Sequence, residues 1–331
     1  MKAIVQDVYG SPAVLRLSDI DEPVIGDDDV LLRVRAAGVD PGVWHLTAGV
    51  PYVVRLMGLG LRAPKRRVPG MDVAGRVEAV GKNVARVRPG DEVFGACGHS
   101  GDGSFAQYAR VPADRLSAKP ADLTFEQAAA VPVSAVAALQ GLRDNGRVGP
   151  GQTVLVIGAG GGVGTFAVQL AKAFHAEVTG VCGPTKVDLV RSIGADHVID
   201  YTRENFADGA RRFDLILDNA GRRPLSVLRR ALAPRGTLVI VGGEGGNRWS
   251  GGFGRQILRA PLLSLLGSQS LLSLTADVCT RDLDVLRELI ESGKVTPVID
   301  RTFPLAQAPE AIRYVHDGRA RGKVVVTVAA D

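Results

Sequence analysis

Cysteine is scarce in this chain of 331 residues, with only Cys97, Cys182 and Cys279. So few and so scattered, they exclude a disulfide framework and a four-cysteine zinc lobe. Long apolar runs are missing too. The most apolar candidate, residues 257–274, is broken by Arg259, Pro261, Ser264, Gly267 and Gln269, too polar for a transmembrane segment. The opening MKAIVQDVYG lacks the apolar core of a signal peptide, so a cytoplasmic location is expected. A net charge of +5 is spread over dispersed arginines with no aromatic-interleaved basic motif, and nucleic acid is not an expected partner. There is no internal repeat and no low-complexity segment.

What is present has the balance of a soluble enzyme, 46% hydrophobic and 23% charged, at a length that fits two domains. Over residues 1–122 short alternating runs are separated by turn signals such as RPGD at 88–91, which predicts an irregular β domain. Over 123–272 the rhythm changes to strand, helix, strand, with strands expected at 154–157, 177–182, 197–200, 213–218 and 237–241. That alternation predicts a doubly wound parallel sheet with its ligand at the carboxyl ends of the strands. Residues 273–331 hold a helix at 282–291, a strand-like 295–299, a short helix at 309–316 and a strand at 323–328, and are expected to return to the first domain.

The sharpest feature is VLVIGAGGGVGTFAVQLAKAF, residues 154–174, with five glycines in seven residues. An apolar strand, a bare turn and a helix start make a place for an anion. The first N–H groups of the helix are unpaired, its dipole is positive there, and glycine removes the Cβ that would keep a phosphate away. No register gives G-x-G-x-x-G; Ala159, Gly161 and Gly164 fit A-x-G-x-x-G.

Several stretches in order, AAGVDPGVWHLTAG (36–49), GMDVAGRVEAVG (70–81), VRPGDEVFG (87–95), GSFAQYARVP (103–112), LTFEQAAAVPVSAVAALQGL (123–142), the glycine turn, GADHVIDYTRENF (194–206) and GKVVVTV (322–328), resemble the medium-chain dehydrogenase/reductase superfamily. Within it, the match is to the zinc-independent, quinone oxidoreductase-like branch. The resemblance implies a GroES-like β-rich catalytic domain plus a Rossmann domain, with hydride transfer from a nicotinamide in a cleft. It also implies cofactor-binding residues: Ala159, Gly161, Gly162, Val163, Gly164, Cys182, Gly183, Thr185, Lys186, Tyr201, Asn219, Gly242, Gly243 and Lys323.

NAD-preferring sheets usually end the second strand in a carboxylate for the ribose hydroxyls. Here that place holds Cys182 and Gly183, followed by Thr185 and Lys186, with Tyr201 further on. A small residue and a nearby cation suit the extra phosphate of NADP(H), the expected cofactor.

Zinc-dependent members of the resembling family take a Cys in the segment matching 36–49, a His in the one matching 70–72 and a third ligand near 130. Asp40, Met71 and the stretch 130–132 (AVP) stand there instead, so no metal site is expected. Without a Lewis acid, quinones and α,β-unsaturated carbonyls are the easier substrates, because they delocalise the charge that arrives with the hydride. The proton comes from solvent or from a side chain, with Asp40, His45 and Tyr52 as candidates. Trp44 is expected as an aromatic wall, and residues 52–69 and 247–274 as substrate-facing or lid segments. An enoyl-thioester or ketone reductase, or an NADPH-binding interaction protein with little turnover, are the alternative readings. A homodimer is compatible with the resemblance.

Overall fold

The computed structural model describes residues 1–52, 55–56, 60–98, 102–242, 249, 260, 263–264 and 267–329. They form two compact units. The first comprises Met1–Val136, Val278–Gly293 and Pro297–Asp331, the second Ala137–Asp277 and Lys294–Thr296.

The first unit is the β-rich one. A short pair, β1 (Lys2–Val5) and β2 (Arg16–Asp19), stands beside a seven-stranded sheet built from β3 (Asp29–Val39), β4 (Asp72–Val80), β5 (Glu92–Ala96), β6 (Tyr108–Pro112), β7 (Leu116–Ala118) and, after the second unit, β14 (Ile299–Pro304) and β15 (Lys323–Thr327). The alternation read in β3 is real. Val30, Leu32, Val34 and Ala36 point inward while Leu31, Arg33 and Arg35 do not, so the strand buries one face as a period-two pattern must. Val73, Val77, Val93, Val111, Val324 and Val326 join Val30, Leu32 and Val34 in one apolar core. β15 lies antiparallel to β3, Val324 opposite Val39, which brings Lys323 next to the end of β3.

The second unit is a parallel sheet in the order β10-β9-β8-β11-β12-β13, where β8 is Thr153–Ile157, β9 Glu177–Cys182, β10 His197–Asp200, β11 Phe213–Asp218, β12 Leu232–Ile240 and β13 Ser270–Ser273. This is the doubly wound order that reverses between β8 and β11. Val154, Leu155, Val156 and Ile157 are buried on both faces, each worth about 1.5–3 kcal/mol against exposure. That explains why the strand reads as a continuous apolar run.

Three expectations change. The β unit runs on to Val136 rather than ending at 122, because the backbone N–H of Val133 and the Ser134 hydroxyl are bonded to Asp72 and Asp40. β12 begins at Leu232 rather than at 237, its register jumping from Phe213↔Leu232 to Leu215↔Thr237. The expected strand at 295–299 lies instead at Ile299–Pro304. Thr296 gives its N–H and C=O to the side-chain amide of Gln169, not to a ladder, and Pro297 has no N–H to offer. β13 was hidden in the segment read as a lid.

Candidate functional site

In the second unit the functional edge starts at the end of β8. Gly158 has φ +79°, so it makes the sharp turn that the sequence pattern placed one residue later, on Ala159. Ala159 is buried instead, its N–H bonded to the Val181 carbonyl. A Cβ on Gly164 would sit 2.1 Å from the Gly158 carbonyl oxygen, so only glycine lets the helix Gly162–Ala173 start this close to the turn. At Gly161 the surroundings are open, the nearest atom to a Cβ being the same oxygen at 3.4 Å. Gly161 is also the N-cap and has no side chain to cap with, while Gly162 and Val163 make the first turn. Their N–H groups therefore point out of a bare turn, as an anion site requires.

Beyond β9 a second group of expected residues converges. The stem of Lys186 lies against Gly160, whose Cβ would be 2.8 Å from the lysine Cβ, and the Tyr201 ring and hydroxyl stand 3.4–3.7 Å from where a Cβ on Gly183 would be. Thr185 is exposed between them. Cys182 is buried; burial, then the neighbouring Asp200, pushes its thiol up to about 11, against the pull of Lys186 and Arg191, so it is neutral and apolar there. Asp200 ends β10, and Thr202 holds it through both backbone N–H and hydroxyl.

At the ends of β11 and β12 the edge carries polar atoms without partners. Asn219 donates from Nδ2 to the Ile157 carbonyl at 3.1 Å, while its Oδ1 is buried and accepts nothing among the described residues. Asp218 accepts from the N–H groups of Ala220 and Gly221, its Oδ2 also unmet, and burial raises its carboxyl. Gly242 packs on the Asn219 carbonyl, 2.0 Å from where its Cβ would be. Gly243 lies outside the described residues, as does His99.

The first unit holds a different kind of cluster. Lys323 Nζ donates to Asp40 Oδ1 at 2.5 Å, to Asp72 Oδ2 at 3.0 Å and to Ser134 Oγ at 3.0 Å. Ser134 in turn donates to Asp40 Oδ1 at 2.8 Å, and the Val133 N–H to Asp72 Oδ1 at 2.7 Å. All four side chains are buried. Burial opposes charge on each. For Asp40 the Lys323 charge and the hydrogen bonds from Asp72, Lys323 and Ser134 outweigh it and hold the carboxyl below its usual range. For Lys323 the two carboxylates outweigh it and raise the ammonium. For Asp72 burial and then the Asp40 charge prevail, and the carboxyl stands well above the ordinary value.

His45 and Tyr52 lie apart from that cluster. His45 Nδ1 is 2.9 Å from the Val50 carbonyl, so that nitrogen carries a proton. Tyr52 lies under the Arg55 guanidinium, which also covers Tyr9 and donates to the Gly49 carbonyl at 2.7 Å. Trp44 stacks on His316 at 3.9 Å and 7°.

Two family models match the chain: an alcohol dehydrogenase GroES-like domain over residues 26–121 and a zinc-binding dehydrogenase over residues 193–326. It is 33% identical to the mitochondrial NAD(P)H oxidoreductase RTN4IP1 of Bos taurus, in an alignment covering 99% of this chain and 89% of the relative. It is 34% identical to the 2-methylene-furan-3-one reductase of Solanum lycopersicum, covering 98% and 79%. The chain belongs to the quinone oxidoreductase-like group of the medium-chain dehydrogenase/reductases. The quinone oxidoreductase from Coxiella burnetii has the same fold, with a TM-score of 0.85 at 27% identity over 99% of both chains.

A medium-chain dehydrogenase/reductase takes a nicotinamide cofactor, and the glycine edge fits one: a cradle only glycine permits, bare N–H groups, and the unmet Asn219 Oδ1. Zinc does not fit. The Asp40 and Asp72 oxygens face the Lys323 ammonium, Met71 stands where the metal-dependent members have histidine, and no three His, Cys, Asp or Glu side chains among the described residues are grouped to hold a metal ion. Two site expectations are corrected here. Lys323, expected at the cofactor, spends all three ammonium N–H bonds inside the β unit. Asp40, a candidate proton donor, is held as a carboxylate and has no proton to give. Ser134 was not read from sequence; a hydroxyl in apolar surroundings gives no signal until the chain brings Lys323 to it.

Proposed function

We propose that this protein is an NADPH-dependent reductase that delivers a hydride to a quinone or an α,β-unsaturated carbonyl. The observation that carries the reading is the edge at β8 and β9. Its turn leaves N–H groups bare for a pyrophosphate, and Lys186 and Tyr201 gather beside Gly183 where the second strand ends without a carboxylate. The relatives named above, for NAD(P)H, for a methylene-furanone and for a quinone, support it.

A reduced nicotinamide bound there supplies the hydride. The N–H groups of Gly162 and Val163 would hold the pyrophosphate, the open space at Gly161 would let it approach, Gly164 lets the helix start close to it, and Lys186 would offset the charge of a 2′-phosphate. Asn219 Oδ1 accepts a donor from the cofactor, which resolves its burial without a partner. Lys323, its N–H bonds used, has none left to polarise an isolated carbonyl. That favours acceptors which spread the incoming charge themselves, with positioning supplying most of the acceleration. The proton that follows is assigned to His45 or Tyr52, which H45Q and Y52F variants separate, or to solvent.

NADPH oxidation by chelator-treated protein, against a benzoquinone, a conjugated enone and a simple aldehyde with NADH in parallel, tests the reading. Turnover on quinone or enone, faster with NADPH, is expected. NADPH binding with silence across the panel sinks the catalytic claim and favours an interaction protein. The outer edge of β13 has no partner strand among the described residues, which supports a homodimer, and light scattering checks it.

A further inference from the structure

One ammonium faces two carboxyl groups in the buried cluster of the β unit. Were both ionised, a net charge of −1 would remain in a dry place, at a cost of several kcal/mol. A second observation points the same way. Asp40 Oδ2 is buried and receives no N–H or O–H from any described residue, while Asp40 Oδ1 and Asp72 Oδ2 are both bonded to the same Lys323 Nζ. A proton on Asp72 resolves both facts. It gives the orphan carboxylate a donor, and it makes the cluster neutral.

We propose that Asp72 is held as a neutral carboxylic acid whose proton is donated to Asp40, and that it is thereby a positioning residue for the segment 40–52. Asp40 is the N-cap of the helix Pro41–Ala48, but its side chain makes no cap hydrogen bond to it. Its carboxylate is turned instead to Lys323, Ser134 and Asp72. The helix, with Trp44 and His45 on it, is thus tied to the cluster through the side chain of its N-cap. Four chain segments meet there: the end of β3, the start of β4, residues 133–134 and the start of β15. The groups facing Asp72 are Asp40, Lys323, the Val133 N–H and the nearby Cys97, whose thiol burial pushes up to about 12, with Arg66 opposing, so that it stays neutral. The Asp72 carboxyl standing well above the ordinary value agrees with this assignment.

The test compares wild type with Asp72→Asn, a neutral mimic of the acid, and with Asp40→Asn. A carboxyl raised by folding contributes its full stability below its unfolded value and loses it as pH rises toward its folded value. Between about pH 5 and pH 7 the wild-type folding constant should therefore fall by about tenfold per pH unit relative to that of Asp72→Asn. The proposal rests on the reductase reading only for the substrate arm. There, KM for benzoquinone should stay near wild type in Asp72→Asn and rise on the order of tenfold or more in Asp40→Asn, with the cofactor Kd unmoved in both. Infrared spectra of isotope-labelled Asp at neutral pH keep the proposal testable if a variant does not fold. A protonated carboxyl band should persist in Asp218→Asn, which removes the other carboxyl that burial raises among the described residues. Parallel pH profiles for wild type and Asp72→Asn, equal damage from the two asparagine variants, or carboxylate bands alone would overturn the proposal. Silence of the protein on every acceptor would sink the reductase reading and leave the folding and infrared arms standing.

Discussion

The β unit and the parallel-sheet unit each gather polar groups at the ends of strands, and they treat them in opposite ways. Around Lys323 every donor is used, three from the ammonium, one from Ser134 and one from the Val133 backbone, and nothing is left over once Asp72 carries a proton. Around the glycine turn the donors are the N–H groups of the helix's first turn, at Gly162 and Val163, and Asn219 Oδ1 and Asp218 Oδ2 are buried with no partner among the described residues. Buried polar groups almost always find partners. A cluster that supplies its own is architecture, and an edge that leaves them unmet is built for something that arrives. The distinction reassigns Lys323, which the family resemblance placed at the cofactor and which is a structural cation by geometry.

The hardest blow to that comparison is Lys323→Met. It strands the Asp40 carboxylate in a buried site, and removing one partner of a buried pair costs about 3–5 kcal/mol. Thermal melting should show a large loss of stability, with dinucleotide affinity of the surviving folded protein unchanged. Lost affinity at full stability would return Lys323 to the cofactor and break the contrast. Gly164→Ala and Gly161→Ala sharpen it from the other side. The Gly164 methyl would meet backbone at 2.1 Å and must push the helix off the turn, so stability and NADPH binding should fall together, by about 1–3 kcal/mol in stability. At Gly161 the nearest atom is 3.4 Å away, so the folded protein tolerates the methyl and NADPH does not: Kd should rise about tenfold or more by titration at an unchanged melting temperature. Equal behaviour of the two alanines would mean the turn binds nothing.

How much of this the sequence already showed follows the same division. β9 and β11 lie where apolar runs and turn signals placed them, because strands buried on both faces leave continuous runs; the half-buried edge strand β10 also lies where it was expected. The glycine edge was legible because backbone function needs glycine, and glycine is visible as a letter. β14 was misplaced because an edge strand reading IDRTFP carries little apolar signal, while Val295 beside it is buried without being in a strand. The Lys323 cluster was illegible, since Lys323 is 283 and 251 residues from Asp40 and Asp72 along the chain, and the antiparallel seating of β15 on β3 brings them together. Asp40 was read as an acid from its place in a mouth segment, with no means of knowing that an ammonium already held it.

Lys186→Ala comes next in size. Its stem lies on Gly160 at the open edge, so its removal leaves a little more room at the turn and takes away one charge. NADPH affinity should weaken about tenfold, or 1.4 kcal/mol, and NADH affinity should hardly move. Equal weakening of both would show the lysine meeting the pyrophosphate rather than a 2′-phosphate.

The smallest effect is expected at Gln169, on the same helix as the glycine edge but with its side chain wholly satisfied. Its amide accepts from the Thr296 N–H at 2.8 Å and donates to the Thr296 carbonyl and, within the helix, to the Thr165 carbonyl, each at 3.0 Å. Gln169→Leu deletes these bonds, yet Thr296 is exposed, so water can take over the abandoned N–H and carbonyl. A loss of about 1 kcal/mol in denaturant midpoint is expected, with NADPH affinity unchanged. The contrast with Lys323 is one of solvent access: both side chains complete a closed set of hydrogen bonds, but only one of the two sets lies where water cannot follow. A loss at Gln169 as large as that at Lys323 would show that closure of the set, and not its burial, is what stability depends on.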